Sequence, residues 1–238
     1  MPNIKIIFLN DSPQSGKTTI CLLLASYLSK SGIPLAIFDC DPKHPLYKKG
    51  EKERENDPLK LELKFPIISI PTLTDSSLYY ILKEISRNDG YYIFDLPASL
   101  PMSEYLRLVA EADVIISPFI FTPESLHNTA KLVLSLSKIK GGLQTGKNIK
   151  PHFNHIIIPN MLSPERVDPE MTDYWENKKY AFTKITEVAP SIGWHDNLFE
   201  SQSCILPRTD IIDLCKDTLD FIQDGLPKIE ISNYEYDE

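Results

Sequence analysis

One segment near the start of the chain constrains the fold more than any other. The run Asn10–Thr19, NDSPQSGKTT, lies between an apolar strand at Ile4–Leu9 and an amphipathic helical pattern that begins near Thr18. A strand, a loop and a helix in this order direct consecutive backbone N–H groups and the positive end of a helix into one concavity. The Gly-Lys-Thr within it supplies a lysine for phosphate groups and a hydroxyl for Mg²⁺. The segment therefore predicts a nucleotide-binding site.

The general phosphate-loop pattern is incomplete in this segment, and a simpler interpretation is open. The pattern requires glycine five residues before Gly16, where this chain has Asp11. On the simpler interpretation, Ser15 is the N-cap of an ordinary helix. The apolar strand before the loop, the apolar face of the helix after it and Gly32 at the end of that helix favour nucleotide binding.

Composition restricts the class of protein. The 238 residues, 42% of them hydrophobic, are enough for one sizeable core, so we predict a single domain over residues 1–226 and a disordered acidic tail over 227–238. No apolar run is long enough to span a bilayer and no signal sequence is recognisable, which predicts a cytoplasmic protein. The formal net charge of −8 argues against broad coating of DNA, so we expect any DNA contact to be weak or indirect.

Strand-like and helix-like segments alternate along the chain as far as Asn160. The alternation predicts βαβ units and hence an α/β fold with three layers, in which helices cover both faces of a doubly wound, mostly parallel sheet. The predicted strands are Ile4–Leu9, Leu35–Asp39, Ile67–Ile70, Tyr91–Leu96, Val114–Pro118 and His155–Pro159. The predicted helices are Thr18–Ser31, Ser76–Arg87, Ser103–Glu111, Ser125–Lys138 and Asp210–Gln223. Residues 43–64 form either a mobile loop or a short helix, and residues 161–207 show no regular pattern.

Cysteine and histidine spacing does not indicate a metal site. His152 and His155 are three residues apart at the start of a predicted strand, where their side chains point to opposite faces. A second glycine and lysine run, at 141–147, follows a helix instead of a strand, and we interpret it as a turn. The four cysteines are scattered in apolar surroundings, which predicts reduced, buried thiols: Cys21, Cys40, Cys204 and Cys215.

Two of the predicted strands end in aspartate. Asp39 and Asp41 follow one strand, and Asp95 follows another. A buried carboxylate without a cation is unfavourable, so Mg²⁺ bound to nucleotide phosphates is the expected partner of these groups. Two structural alternatives stay open: Asp41 could begin a turn with Pro42, and Asp95 could cap a helix.

In their order, these segments resemble the ParA/MinD group of P-loop ATPases. The resemblance covers the chain from Ile4 to about Asn160, and its motifs are more specific together than singly. The segments are similar to the deviant Walker A loop, switch I, switch II, the strand after switch II and the end of the base-side strand: Asn10–Thr19, Asp39–Pro42, Asp95–Pro97, Ala112–Pro118 and Ile158–Asn160.

The resemblance implies a Mg²⁺-dependent ATPase that forms a homodimer around ATP, separates after hydrolysis and acts through a partner or adaptor protein. Members of the group position plasmids, chromosomes, division machinery or conjugation complexes. Plasmid partition or conjugative DNA transfer is therefore the function expected of this chain. A membrane role like that of MinD is not expected, because residues 225–238 contain no basic amphipathic helix.

The resemblance also implies roles for individual residues. Lys17 would bind the β and γ phosphates and Asp41 would orient the attacking water, which makes these two the catalytic residues. The metal site would consist of Thr18, Asp39 and Asp95. The residues that would contact ATP are Pro13, Gln14, Ser15, Gly16, Lys17, Thr18 and Thr19 in the loop, with Asn160 and Pro207 on the adenine side.

The chain departs from the group at the start of the loop. The group has a signature lysine and two glycines where this chain has Ser12, Pro13 and Gln14. That lysine reaches the phosphates of the partner subunit, and a cation supplied in trans is worth about 10³–10⁵ in rate. A serine hydroxyl carries no such charge, so we expect slow hydrolysis.

Other consequences of this departure remain open. Lys43, Lys48 or Arg208 could supply the missing cation, or the dimer could differ from that of the group. Pro13 and Gln14 restrict the backbone and add bulk near the phosphates, which would suit a degenerate, non-hydrolysing scaffold that binds a partner protein and no nucleotide. A P-loop metabolic ligase of dethiobiotin-synthetase type is a further alternative, with Lys43 as its candidate catalytic lysine.

Overall fold

The computed structural model describes residues 3–59, 61–98, 102–142, 151–161 and 169–228, and these residues form a parallel sheet with helices on both faces. The strands are β1 (Asn3–Phe8), β2 (Leu35–Asp39), β3 (Ile67–Ser69), β4 (Gly90–Asp95), β5 (Val114–Phe119), β6 (Asn154–Pro159) and β7 (Glu187–Val188). The helices are α1 (Lys17–Leu28), α2 (Pro45–Asn56), α3 (Asp75–Ile85), α4 (Met102–Glu111), α5 (Pro123–Lys140), α6 (Pro169–Phe182), α7 (Leu198–Ser201), α8 (Thr209–Asp213) and α9 (Lys216–Asp224), and a 3₁₀ turn at Ser29–Ser31 extends α1.

The strand order places β1 in the middle of the sheet. Within the described ranges the order is β3-β2-β4-β1-β5-β6-β7, and every neighbouring pair is parallel. All carboxyl ends therefore lie at one edge of the sheet, where ligands bind in folds of this kind. The predicted fold class is confirmed, and the sheet is parallel throughout.

Side chains that alternate along β1 divide the core into two layers. Ile6 and Phe8 pack with α1, α8 and α9 on one face, while Ile7 and Leu9 pack with α3, α4 and α5 on the other. The central strand is consequently buried on both sides, as its unbroken apolar sequence predicts.

A third cluster, of aromatic side chains, holds α6 against the sheet. Trp175 of α6 is buried against Phe119 at the end of β5, with ring centroids 5.0 Å apart, and contacts Phe121 and Phe182 as well. Such rings bury large apolar areas and pack in tilted pairs. This cluster gives residues 161–207 a core contact that their sequence pattern does not reveal.

The structure changes two assignments of helical segments. Residues 43–64 contain a true helix, α2, which settles the open choice between loop and helix. The single helix predicted over Asp210–Gln223 is wrong, because α8 ends at Asp213 and α9 begins at Lys216. Buried Ile212, Cys215 and Leu219 keep a helical spacing across the break, which hides it in the sequence.

The structure also bears on the cysteines, on membrane-spanning helices and on the segments predicted at 141–147 and 227–238. All four cysteines are free and buried, as predicted. Across the described ranges, no helix is both long and apolar enough to cross a membrane. The segments 143–150 and 229–238 lie outside the described residues, so the turn predicted at 141–147 and the tail predicted at 227–238 are described only at their first two residues.

Candidate nucleotide-binding site

The loop after β1 is fastened to the sheet by Asn10. This buried side chain donates a hydrogen bond from Nδ2 to the Pro118 carbonyl in β5, and its Oδ1 accepts one from the Ser12 N–H (2.7 Å). The loop therefore starts from a fixed point at the carboxyl end of the two strands. Asn10 was not among the site residues predicted from the sequence, although a polar amide directly after a buried strand is a signal that could have identified it.

Gly16 allows the loop to pass close to the end of β6. Its φ of +87° lies in the left-handed region, and a Cβ at this position would be 2.1 Å from Nδ2 of Asn160. That amide instead donates to the Ser15 carbonyl (2.8 Å). The structure therefore brings the sequence-predicted residue Asn160 against the phosphate loop, while its contact with adenine stays a prediction.

The N-cap interpretation of Ser15 is wrong. Gly16 occupies the N-cap position of α1, and no side chain caps the helix there. The Ser15 side chain is only 1% exposed, and its hydroxyl has no hydrogen-bond partner within the described structure. Because the loop turns this side chain inward, the first backbone N–H groups of α1 are not occupied by it.

Lys17, the first residue of α1, is folded back onto the loop. Its side chain is buried, and Nζ donates to the Asn10 carbonyl (3.2 Å). Burial lowers the pKa of the Lys17 ammonium, and the carboxylates of Asp95, Asp41 and Asp11 oppose that change. A phosphate group would give this buried cation the counter-charge that a carbonyl supplies only in part.

The next residue connects α1 to the end of β4. The hydroxyl of Thr18 donates to Oδ2 of Asp95 (2.7 Å), while Oδ1 of Asp95 is buried and has no partner in the described ranges. Burial raises the pKa of Asp95 to about 7, and the nearby carboxylates of Asp39 and Asp41 act in the same direction. Asp95 thus faces Thr18 and does not cap any helix of the described ranges.

Asp39 lies beside Asp95, because the two are register partners on β2 and β4. Both oxygens of Asp39 accept backbone N–H groups, from Asp41 (3.3 Å) and from Tyr47 in the first turn of α2 (2.9 Å). Burial raises the pKa of Asp39, and these two hydrogen bonds oppose the rise. Asp39 therefore positions the start of α2, and its part in the metal site stays a prediction.

Asp41 forms the turn that was one of its two sequence interpretations. Its Oδ1 accepts the Lys43 N–H (2.8 Å), and its carbonyl accepts the His44 N–H (2.8 Å). Asp41 is half-buried, and its carboxylate is close enough to Lys17 to oppose the fall in the pKa of that ammonium. The role of Asp41 in orienting the attacking water stays a prediction.

The remaining candidates differ in exposure. Ser12 is 3% exposed and its hydroxyl has no partner in the described structure, whereas Pro13 and Gln14 are exposed, with Gln14 in the left-handed region (φ +57°). Thr19 is half-buried in the first turn of α1. Among the residues considered as substitute cations, Lys43, Lys48 and Arg208 are all exposed, and Arg208 is paired with Asp210.

Pro207 lies apart from this cluster in sequence, in a loop over residues 202–208. Gln202, 1% exposed, organises that loop, since its Oε1 accepts the N–H groups of Ser203 (3.0 Å) and Arg208 (2.8 Å). Its Nε2 is buried and has no partner in the part of the chain that the structure describes. The contact of Pro207 with adenine stays a prediction. Gln202 was not predicted from the sequence, because its burial depends on tertiary contacts.

The donors at the loop suit a metal that arrives with a nucleotide. In the described ranges, no three His, Cys, Asp or Glu side chains form a cluster that could hold a metal alone. Mg²⁺ in nucleotide sites takes one or two carboxylates together with phosphates and waters. The unpaired Oδ1 of Asp95 and the Thr18 hydroxyl fit the small number of ligands that the protein itself would supply to such a metal.

Comparison with known proteins matches the chain to a family. The model of the CobQ/CobB/MinD/ParA nucleotide binding domain matches residues 6–204, well over half of the chain. The chain belongs to this family. The match extends about 40 residues beyond Asn160, where the sequence resemblance ended, and it includes Gln202 and the start of the loop that follows it.

Relatives of this nucleotide-binding domain are distant in sequence. Protein ParA of Rhizobium radiobacter is 23% identical over 163 residues, which are 67% of this chain and 65% of that protein, so the chain spans about two thirds of its length. A plasmid partition protein of Borrelia burgdorferi bound to AMPPNP has the same fold, with 15% sequence identity, a TM-score of 0.67, and coverage of 95% of this chain and 100% of that one. Cobyrinic acid a,c-diamide synthase of Mycobacterium smegmatis, with ADP and magnesium, also has this fold, with 14% identity, a TM-score of 0.65, and coverage of 96% of this chain and 100% of that one.

The cavities of the described residues include two larger ones that lie outside the phosphate loop. An apolar one of about 610 Å³ separates α5 from α6, and none of its lining residues belongs to the loop or to the strand ends that carry Asp39 and Asp95. A more polar one of about 570 Å³ lies between α2 and residues 199–206, with Lys48, Lys49 and Lys52 in its wall.

Proposed function

We propose that the chain is a ParA-like nucleotide switch that binds Mg²⁺-ATP, hydrolyses it slowly and acts in plasmid partition or conjugative DNA transfer. The observation that carries the proposal is a group of buried polar atoms around one loop: Asp95 Oδ1, Ser12 Oγ and Ser15 Oγ, none with a partner in the described structure. Buried polar groups without partners are rare, and each is unfavourable unless a ligand, ion or water satisfies it.

Different residues would bind the phosphates, the metal ion and the base of the nucleotide. Lys17 would leave the Asn10 carbonyl for the β and γ phosphates, and the N–H groups at the start of α1 would meet the same oxygens. Thr18 and Asp95 would hold Mg²⁺, which when bound neutralises phosphate charge. Asn160 and Pro207 would lie on the adenine side, and Asp41 would orient the attacking water.

Slow hydrolysis follows from the position of Ser12. Its side chain is turned into the loop, and its backbone N–H is held by Asn10. It neither carries the charge of the signature lysine nor extends toward a second subunit. Turnover then depends on Asp41 and on whatever cation a homodimer or a partner protein brings to the γ-phosphate.

Relatives support the finer parts of the proposal. One relative is named ParA, and the fold is shared with a plasmid partition protein bound to AMPPNP and with a synthase bound to ADP and magnesium. We infer a nucleotide-dependent homodimer, a protein partner and a cytoplasmic location from this kinship. The net charge of −8 favours weak or indirect contact with DNA.

Calorimetry tests nucleotide binding directly. The native chain should bind ATP with Mg²⁺, and Lys17→Ala should lose most of that affinity. Lys30→Ala is the matched control, because Lys30 is exposed just beyond the same helix. If the native chain gives neither heat nor a thermal shift with ATP or ADP, the degenerate-scaffold alternative replaces this proposal.

Turnover and assembly need a separate experiment. Asp41→Ala should keep ATP affinity, stop hydrolysis and leave ATP-bound dimers that persist in light scattering. Unchanged turnover in this variant would remove Asp41 from the mechanism. Dimers without measurable hydrolysis in the native chain would point to the missing charge at Ser12.

A second candidate function is an ATP-dependent ligase. The cavity beside α2 favours it, since a ligase needs a substrate pocket with lysines near the nucleotide and Lys48, Lys49 and Lys52 line this one. Lys49 is engaged with Glu53, however, which leaves it poorly placed for catalysis. A ligase would consume ATP only with a small-molecule acceptor, whereas the switch would respond to a protein partner.

A further inference from the structure

Helix α2 is tied to the loop 202–208 through the carboxylate of Glu53. One oxygen, Oε2, accepts hydrogen bonds from the Cys204 N–H (2.7 Å) and the Ser203 hydroxyl (3.0 Å). The other, Oε1, lies 2.9 Å from Nζ of Lys49 one turn earlier. A single side chain thus joins two segments that are about 150 residues apart in sequence.

Lys49 strengthens this attachment and extends it to α7. Its side chain is 9% exposed, its Nζ donates to the Glu200 carbonyl (3.4 Å), and the same atom lies 5.2 Å from the centre of the Phe199 ring. A shielded cation on an aromatic face, paired with a carboxylate, is held more firmly than a surface ion pair. The pair is therefore a fixed link between α2 and the chain from 199 to 204.

The loop itself has few other supports of this kind. Its interior bonds run to Gln202 and to the Ser203 hydroxyl, which accepts the N–H groups of Ile205 and Leu206 (3.1 Å each). The Cys204 carbonyl accepts the Lys64 N–H (2.8 Å). Glu53 therefore anchors the same two residues around which the loop turns toward Pro207.

The N-terminal end of α2 lies beside Asp39 and Asp41, the aspartates on the metal side of the proposed site. Asp39 holds the Tyr47 N–H in the first turn of the helix, and Asp41 forms the turn just before it. One helix thus joins the strand end that carries these aspartates to the loop that carries Pro207. Rigid elements of this kind can transmit a change at one end of a site to the other.

We propose that Glu53, together with Lys49, is a positioning residue that sets loop 202–208 and, through it, the base side of the nucleotide site. The proposal rests on the proposed function, in which Pro207 lies on the adenine side. The contacts of Glu53 in the described ranges run to Lys49, Ser203 and Cys204, outside the phosphate loop. Its removal should therefore weaken recognition of the base and leave recognition of the phosphates intact.

The experiment compares two ligands on the full chain: Mg²⁺-ATP and Mg²⁺-tripolyphosphate, which has no base. Glu53→Ala should weaken ATP binding about tenfold, within the range typical of coupled sites, and leave tripolyphosphate affinity unchanged. Glu53→Gln keeps an oxygen for the Cys204 N–H and should recover part of the loss. Glu51→Ala is the matched control on the same helix, since Glu51 pairs only with the exposed Arg54 in the contacts we observe.

Three results would overturn the inference. Equal losses for both ligands would show that Glu53 only supports the fold, and unchanged ATP affinity in Glu53→Ala would show that the link does not reach the base. A native chain that binds neither ligand would refute the proposed function and this inference with it. Either of the first two results, with both ligands still bound by the native chain, refutes the inference alone.

Discussion

The hydroxyl of Thr18, at the start of α1, donates a 2.7 Å hydrogen bond to Oδ2 of Asp95, at the end of β4. The second oxygen of Asp95 is buried and has no partner in the described ranges, and Asp39 lies beside it on the neighbouring strand. A hydroxyl and a carboxylate therefore converge at the carboxyl edge of the sheet. The bond that joins them determines how both are presented to a metal.

Thr18→Val should remove the dependence of ATP affinity on Mg²⁺. The variant leaves Asp95 without its hydrogen bond, so the free energy of unfolding should also fall by about 1–3 kcal/mol. Thr18→Ser keeps the hydroxyl and should behave like the native chain. Calorimetry with and without Mg²⁺ and unfolding in urea measure the two effects.

Thr19→Val is the control for this prediction, since it makes the same change one residue later in the same helical turn. It should leave the Mg²⁺ dependence unaltered. A Thr18→Val chain that still binds ATP more tightly with Mg²⁺ would exclude Thr18 from the metal site.

Gly16→Ala should destabilise the chain through contact with Asn160. The left-handed φ of +87° costs a residue with a Cβ about 1–2 kcal/mol, and a Cβ 2.1 Å from Asn160 Nδ2 adds an overpacking cost of about 1–3 kcal/mol. Gly32→Ala isolates the first cost, because Gly32 also has a positive φ (+73°) but nothing within 4 Å of its Cβ position.

Urea unfolding of Gly16→Ala and Gly32→Ala measures how much the free energy of unfolding differs between the two variants. Gly16→Ala should lose clearly more stability than Gly32→Ala, and adding Asn160→Ala to it should recover part of the excess. Equal losses in the two single variants would mean that Asn160 moves away without cost.

The strand ends show how far sequence reasoning reaches in this fold. Asp39 and Asp95 follow apolar runs whose period and length predict buried strands, and the parallel sheet brings them side by side. The burial of Ser15 could not be predicted in the same way, because its backbone carbonyl is held by Asn160, which is 145 residues away. Contacts at such separations leave no local pattern in the sequence.

Helix α2 shows why the choice at residues 43–64 stayed open. Only Leu46 and Gly50 are buried along it, so no apolar face marks the helix in the sequence. Its first turn is held by Asp39, and its last turns by the attachment of Glu53 to Cys204. Both supports are tertiary, and neither could be inferred from the charged sequence of the helix itself.

Gln14→Gly should stabilise the loop. Gln14 has a φ of +57°, which costs a non-glycine residue about 1–2 kcal/mol, while glycine adds about 0.4–1 kcal/mol of unfolded-state entropy. The net gain in the free energy of unfolding should be about 1 kcal/mol. Pro13→Gly is the control, since Pro13 is the exposed neighbour without a positive φ. A loss of stability in Gln14→Gly would show that the Gln14 side chain makes a stabilising contact.

A buried histidine makes stability depend on pH. His155, on β6, is enclosed with its Nε2 3.0 Å from the Ser117 hydroxyl, and burial, aided by Lys140, lowers its pKa to about 3. The unfolded chain takes up a proton near pH 6.5, whereas the folded chain resists protonation until about pH 3. The unfolded state therefore binds more protons between these values, and the free energy of unfolding falls as the pH is lowered through this window.

His155→Gln should remove this dependence. The native chain should lose up to about 1.4 kcal/mol per pH unit below about pH 6 from this residue, and the variant should show a correspondingly shallower decline in urea unfolding between pH 6.5 and 4.5. His152→Gln is the matched control, because His152 is exposed three residues earlier and its replacement should leave the slope as in the native chain. Parallel pH profiles for the native chain and His155→Gln would show that His155 is already protonated in the folded state or that water reaches it.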